Sequence, residues 1–348
     1  MKNAPLLNLT LATFLAIALG WILVVGKSIL LPILAAVIAV YIMLSATDAL
    51  QRFKFFLRVP PAIVKFLVLF IFTVVLLSLA VLVAATVREI ASVAPVYEQN
   101  LDSFLEQIAQ RFELDRQEIW EELRAVTIDA FDLHAIVLVA FSGFTNVSGT
   151  IFLIVVYAAF IMGERAGFEN KIRHAFPSDS QGQKALSILH EINSKVSDYL
   201  VAKTMINILL ALVSFVILWL HDVDFALFWA IVIGLLNYIP YIGSYLGVTF
   251  PVVLSSAQFV SWPLTLSLAV FLTFAQFVVG NLVEPRFIGR QVNLSPVVVL
   301  VSLSVWMSLW GVPGAILAVP LTSVKAIVFA SFDETRFLSI LLADQIDD

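Results

Sequence analysis

The sequence predicts an all-α polytopic membrane protein with about six full spans, two Gly/Pro-broken re-entrant helical hairpins in inverted repeats, and amphipathic helices on both membrane faces. Three observations lead there. The 348 residues are 61% hydrophobic and 13% charged, against about 45–50% and about 25% in soluble domains, and mean hydropathy is +1.01. Apolar stretches of spanning length recur along the chain. The two longest are interrupted by Gly and Pro at matching places, where lipid could not satisfy the backbone groups that a break releases.

Leu6–Val25 and Ser28–Leu50 read as the first two spans, separated by Gly26 and Lys27. The first is longer than a signal-peptide core and no small-residue cleavage site comes after it, so it is expected to remain as a helix. Arg52, Lys54, Arg58 and Lys65 then supply four basic residues without an acid, which places this loop and the N-terminus in the cytoplasm. Ala62–Thr86 is the third span and closes an N-terminal region, 1–86.

Residues 87–135 form an acidic, amphipathic helical excursion on the far side. Between 88 and 133 there are eleven acids and four arginines. Ile90, Ala94, Tyr97, Leu101, Phe104, Leu105, Ile108 and Phe112 adopt helical spacing, as do Ile119, Leu123 and Val126; such a stripe packs on its own domain or on a neighbouring subunit. Region 136–203 combines a fourth span, Ile136–Met162, with a cytoplasmic amphipathic helix that lies along the membrane face and leads into the next span. Pro177-Ser178 with Gln181 resembles a capping box, and Leu186, Leu189, Ile192, Val196, Tyr199 and Leu200 form the stripe. His174, His190, Asp198 and Lys203 are expected at the solvent or the interface.

Region 204–258 starts with a fifth span, Thr204–Leu220, and a turn at His221–Asp224. From Phe225 to Val283 there is no Asp, Glu, Lys, Arg or His. Phe225–Ala257 would be about 50 Å as one helix, well beyond a hydrocarbon core of about 30 Å. Broken at Pro240–Gly243 it becomes a hairpin of two short arms entering from outside. Region 259–330 repeats the design: a sixth span, Leu264–Val283, a charged turn, and Pro296–Ala330 broken at Trp310–Gly314. Residues 331–348 are an acidic cytoplasmic tail. The two units have opposite expected topology, and paired interrupted segments in inverted repeats point to a transporter's binding site.

The residues suited to a polar, hydroxyl-rich solute are amides, hydroxyls and aromatic faces at these breaks. On the first hairpin they are Asn237, Tyr238, Pro240, Tyr241, Gly243, Ser244 and Tyr245. Gln276 and Asn281 lie on the next span, with diverging faces. On the second hairpin they are Trp306, Ser308, Trp310, Gly311, Pro313 and Gly314. For any one of them helix packing or interfacial anchoring is the alternative. Glu284, with Arg286 and Arg290 nearby, is either a coupling or gating group or a structural ion pair at the membrane face.

Asn237-Tyr238-Ile239-Pro240-Tyr241-Ile242-Gly243-Ser244, Asn281 through Arg290 (NLVEPRFIGR), Leu294-Ser295-Pro296 and Trp310-Gly311-Val312-Pro313-Gly314 through Leu321 together resemble the autoinducer-2 exporter family of bacterial membrane proteins. The resemblance runs from about residue 10 to 330. It implies an inner-membrane transporter exporting a small polar quorum-sensing signal, as a homopentamer whose protomers each carry a path. It also implies sodium/proton exchange or permease-like roles as alternatives within the family.

The sequence speaks against other classes. It has no cysteine, hence no disulfide, thiol nucleophile or thiolate metal site. No His-Glu-x-x-His, nucleophile elbow or phosphate loop occurs, so neither a catalytic residue nor a cofactor nor a metal is expected, and nothing suggests nucleic acid as a partner. The expected partners are a small polar solute, the bilayer and further copies of the chain. Cation/proton antiport would want intramembrane carboxylates, which 225–283 does not offer. A membrane scaffold or receptor, with residues 88–133 binding a partner, stays open.

Overall fold

The computed structural model describes residues 4–112, 133–176, 178–288 and 293–345. Among them every regular element is helical: α1 (Ala4–Val25), α2 (Lys27–Gln51), α3 (Pro61–Phe112), α4 (Leu133–Ala175), α5 (Asp179–Leu220), α6 (Ala226–Leu236), α7 (Ile242–Phe259), α8 (Trp262–Val278), α9 (Glu284–Ile288), α10 (Pro296–Trp310), α11 (Val312–Ala330) and α12 (Arg336–Leu342). A π-helical turn, Val279–Val283, joins α8 to α9.

Six helices among the described residues are long and apolar enough to cross a membrane. The expected number is six as well, but membership differs. Segments in α2, α3, α5 and α8 are common to both sets; α7 and α11, expected as short hairpin arms, also pass. Within α4, Gly149–Arg165 and Gly167–Ala175 meet at a 68° bend, and with that pair the number rises to seven. The chain is a multi-pass membrane protein.

The chain forms two compact units, one of residues 1–69, 152–200 and 292–348, the other of 70–151 and 201–291. In the second unit α5 presents one buried face at helical spacing: Lys203, Asn207, Leu210, Ser214 and Leu218 are all at most 4% exposed. That face packs with Ala230 and Ile233 of α6 and Leu268 and Leu272 of α8 in one core cluster. Gly234 lets α6 approach α5 closely, since a Cβ there would lie 3.0 Å from the Asn207 carbonyl oxygen and 3.1 Å from Ala211 Cβ. Tyr97 and Phe104, from the predicted stripe, are buried. The Tyr97 hydroxyl donates to the Asp224 carboxylate, fixing the 221–224 turn to α3.

In the first unit, α10 and α11 pack against each other across a single connecting residue, Gly311. Its φ of 67° and ψ of −146° lie in a region essentially restricted to glycine. Gly314 then seats the second arm: a Cβ on it would strike the Trp306 carbonyl oxygen. Leu186, Val196, Tyr199 and Leu200 are buried as the stripe requires. Gln181 N–H donates to Ser178 Oγ at 3.4 Å, the contact expected of the cap.

Several boundaries differ from expectation. The third span and the first part of the excursion are one 52-residue helix, α3, whereas the amphipathic helix after Ser178 leads into the fifth span as expected, within the 42-residue α5. Glu, Gln, Lys and Leu are all good helix formers, so a change from apolar to polar need not end a helix. The arms of the first hairpin are 11 and 18 residues, the second long enough to span rather than short. The tail carries α12, whose Leu342 carbonyl accepts from Ser295 N–H at 3.0 Å. The stripe residues Ile119, Leu123 and Val126 lie outside the described residues.

Candidate functional site

In the second unit the chain leaves α6 at Leu236 and re-enters helix at Ile242. The turn between them is tight: Ile242 N–H donates to the Pro240 carbonyl at 2.6 Å, with Tyr241 at φ 61° and ψ −60°. These are the dihedrals of the uncommon, strained γ-turn; such a conformation costs on the order of 1–3 kcal/mol in a non-glycine residue and gathers at functional sites. Gly243 closes the hairpin as Gly314 does the other, because a Cβ on it would strike the Leu236 carbonyl oxygen.

A polar seam surrounds this break. Asn237, 6% exposed, donates through Nδ2 to Asn207 Oδ1 at 2.8 Å. Its own Oδ1 accepts from the Ser244 hydroxyl at 3.4 Å. The Tyr238 phenol bonds the Thr204 hydroxyl at 2.7 Å. Thr204 and Asn207 come from α5, Asn237 and Tyr238 from the break and Ser244 from the first turn of α7, so the amides and hydroxyls converge from different elements.

The seam is not saturated. Among the described residues four buried side-chain polar atoms have no hydrogen-bond partner: Asn207 Nδ2, Trp229 Nε1, Thr265 Oγ1 and Gln276 Nε2. All four belong to the second unit. Gln276 is 9% exposed, and a Cβ added to Gly247 of α7 would lie 3.5 Å from its Nε2. Leaving a buried amide unpaired costs about 1–3 kcal/mol. A visiting polar solute or water offers the missing acceptors.

Beside the seam Lys203 Nζ donates to Glu284 Oε1 at 2.6 Å, with side chains 5% and 28% exposed. Lys203 is thus buried, where the solvent or the interface was expected, and among the described residues it, rather than the exposed Arg286, is the partner of Glu284. Arg286 is exposed and Arg290 lies outside the described residues. Arg286, two residues on in the same helix, lies about 200° around the axis from Glu284, and a π turn immediately precedes Glu284. One inserted residue rotates the remainder of the helix by about 100° about its axis, and π turns concentrate at functional sites.

The remaining predicted residues separate. Pro240 lies in the γ-turn, whereas Tyr241 and Tyr245 point outward, 51% and 76% exposed. Asn281 is exposed and donates to its own helix at Phe277 O, 3.1 Å. In the first unit Trp306 and Trp310 are buried with their indole N–H groups satisfied by Thr322 Oγ1 and Leu23 O, at 3.3 and 2.8 Å; both act in packing. Ser308, Gly311 and Pro313 are exposed and Gly314 is buried. Thr204, Asn207 and Lys203 were missed from sequence. The available signal was a charged and an amide side chain four residues apart, hence on one face of an apolar helix. Among the described residues no three His, Asp or Glu side chains gather as a metal site.

The chain matches the family model described as AI-2E family transporter over residues 11–333. It is 29% identical over 290 residues to the AI-2 transport protein TqsA of Escherichia coli (strain K12), covering 82% of each chain. A candidate transport protein of Borreliella burgdorferi is 26% identical over 321 residues, 91% of this chain and 85% of its own. The candidate permease PerM of Escherichia coli (strain K12) is 26% identical over 331 residues, 90% of this chain and 93% of its own.

Proposed function

The chain belongs to the AI-2E transporter family, and from that premise we propose that it exports a small, polar, oxygen-rich solute, with the furanose-type signal autoinducer-2 as first candidate. The observation that carries this reading is the seam at the α6–α7 break, with two nine-tenths-buried amides, Asn207 and Gln276, left with unpartnered N–H groups. Such donors suit ring oxygens and hydroxyls, and the absence of a free charge among the described residues of the seam suits an uncharged cargo. TqsA is named for AI-2 transport, which supports the same cargo here. In this reading the two Gly/Pro-broken hairpins are the moving parts of alternating access. The protein sits in the bacterial inner membrane with both termini cytoplasmic, and assembles as a homopentamer.

Cation/proton antiport is the second reading, favoured by the buried Lys203–Glu284 pair. Proteoliposomes separate the two. Vesicles holding the protein and loaded with autoinducer-2 should lose it several-fold faster than empty-lipid controls, and an imposed sodium gradient should leave internal pH unchanged. Sodium-driven proton movement without loss of the signal would reverse the assignment.

A further inference from the structure

The first unit holds a cleft that the transport reading does not use. It lies between α2, the Ile161–Glu169 segment of α4 and the Leu189–Asp198 segment of α5, and has two adjoining parts. One, of about 350 Å³, is lined by Asp48, Arg165, Glu169, His190 and Asp198, with hydroxyls and amides between them. The other, of about 380 Å³, is lined by Val37, Val40, Ile161, Phe168 and Leu189 together with Glu164, which pairs with Lys171 at 3.4 Å. Tyr41, Leu44, Arg165, Glu169 and Asn193 line both, so the parts are continuous. A hydrogen bond from the Tyr41 hydroxyl to Asn193 Oδ1, 2.6 Å, holds α2 to α5 at the junction.

We propose that this cleft binds a phospholipid whose headgroup carries a primary ammonium, the phosphoethanolamine class. Along α2 the lining changes from Val37 and Val40 to Asp48, eleven residues or about 16 Å further on, where the span meets the basic loop at Arg52. A ligand filling both parts therefore has an apolar chain directed into the span and a polar head at its charged end, the disposition of a lipid in a bilayer. The polar part carries both signs. Glu169 is engaged by His190 at 3.3 Å and Asp198 by Ser194 Oγ at 3.3 Å. Asp48 on α2 and Arg165 on α4 have no hydrogen bond or ion pair among the described residues. A carboxylate without a cation and a guanidinium without an anion, on two walls of one cleft, complement a zwitterion: phosphate on Arg165, where bidentate bonding is available, and ammonium on Asp48.

The ammonium type separates this lipid from its neighbours. A quaternary trimethylammonium head cannot donate a hydrogen bond to Asp48, and a phosphoglycerol head brings negative charge only to a site with three carboxylates.

The test uses the full-length protein, delipidated in detergent, with retained lipid read by native mass spectrometry and thermal unfolding monitored in parallel. Dioleoyl phosphatidylethanolamine should be retained and raise the midpoint; phosphatidylcholine, phosphatidylglycerol and soluble phosphoethanolamine should do so far less. Asp48→Asn and Arg165→Gln should each weaken retention roughly tenfold, the loss of one charge-assisted bond. Val40→Trp should reduce retention by filling the apolar part while leaving the headgroup residues intact. Equal retention of all three lipids, full binding of soluble phosphoethanolamine, or unchanged selectivity in Asp48→Asn and Arg165→Gln would each overturn it.

Discussion

Gly314→Ala and Gly243→Ala should each destabilise the protein by about 3 kcal/mol or more, the upper end of what overpacking costs. In both cases the added methyl meets a backbone carbonyl, of Trp306 and Leu236 respectively, rather than the end of a flexible side chain. The neighbouring arm must move as a whole, and each arm is held by its own core: Trp306 and Trp310 in one hairpin, Ile233 and Asn237 in the other. Gly163→Ala is the control. Nothing lies within 4 Å of a Cβ there, and alanine replaces glycine inside α4, so stability should be unchanged or rise by up to about 1 kcal/mol. Thermal unfolding in detergent measures all three; a Gly314→Ala variant as stable as Gly163→Ala would mean that the hairpin is not closed on that carbonyl.

The second large effect is expected at the ion pair. Glu284→Gln leaves the Lys203 ammonium, 5% exposed, without its counter-charge, and removing one partner of a buried pair costs about 3–5 kcal/mol. Lys203→Met should cost less, because the stranded carboxylate is 28% exposed and keeps some contact with polar surroundings. The double variant should recover most of the loss, since an uncharged Gln–Met pair replaces two charges that both had to be desolvated. Unfolding measurements on the four proteins form a cycle, and simple additivity would show that the two groups do not depend on each other. Transport in the Glu284→Gln protein adds a separate readout: loss of any pH dependence assigns Glu284 to coupling, and an unchanged pH profile leaves the pair purely structural.

The two helix breaks were legible because long apolar stretches with Pro240 and Gly243 in one and Pro313 and Gly314 in the other admit few backbone solutions in lipid. The apolar stripes at Tyr97–Phe104 and Leu186–Leu200 were legible for a related reason: their 3.6-residue period implies a covered face. Which side chains meet could not be read. Lys203 and Glu284 are 81 residues apart and Asn207 and Asn237 are 30 apart, and no local pattern encodes such distances. The π turn at Val279–Val283 is equally silent, because its residues are ordinary helix residues. The end of the third span was misplaced at Thr86 for the opposite reason. Hydropathy changes there, but the helix continues to Phe112.

Asn207 and Gln276 carry the functional reading, and Gln276 offers the cleanest separation of role from stability. Gln276→Leu removes a buried amide whose Nε2 has no partner and replaces it with an apolar side chain of similar size. Such a change should leave the empty protein equally stable or more stable, since the desolvation cost of about 1–3 kcal/mol disappears. Export of the polar solute from proteoliposomes, measured beside the unfolding midpoint, should nevertheless fall sharply. A Gln276→Leu protein that is as stable as the parent and exports the solute at the parent's rate would contradict the assignment of the α6–α7 seam as the solute path.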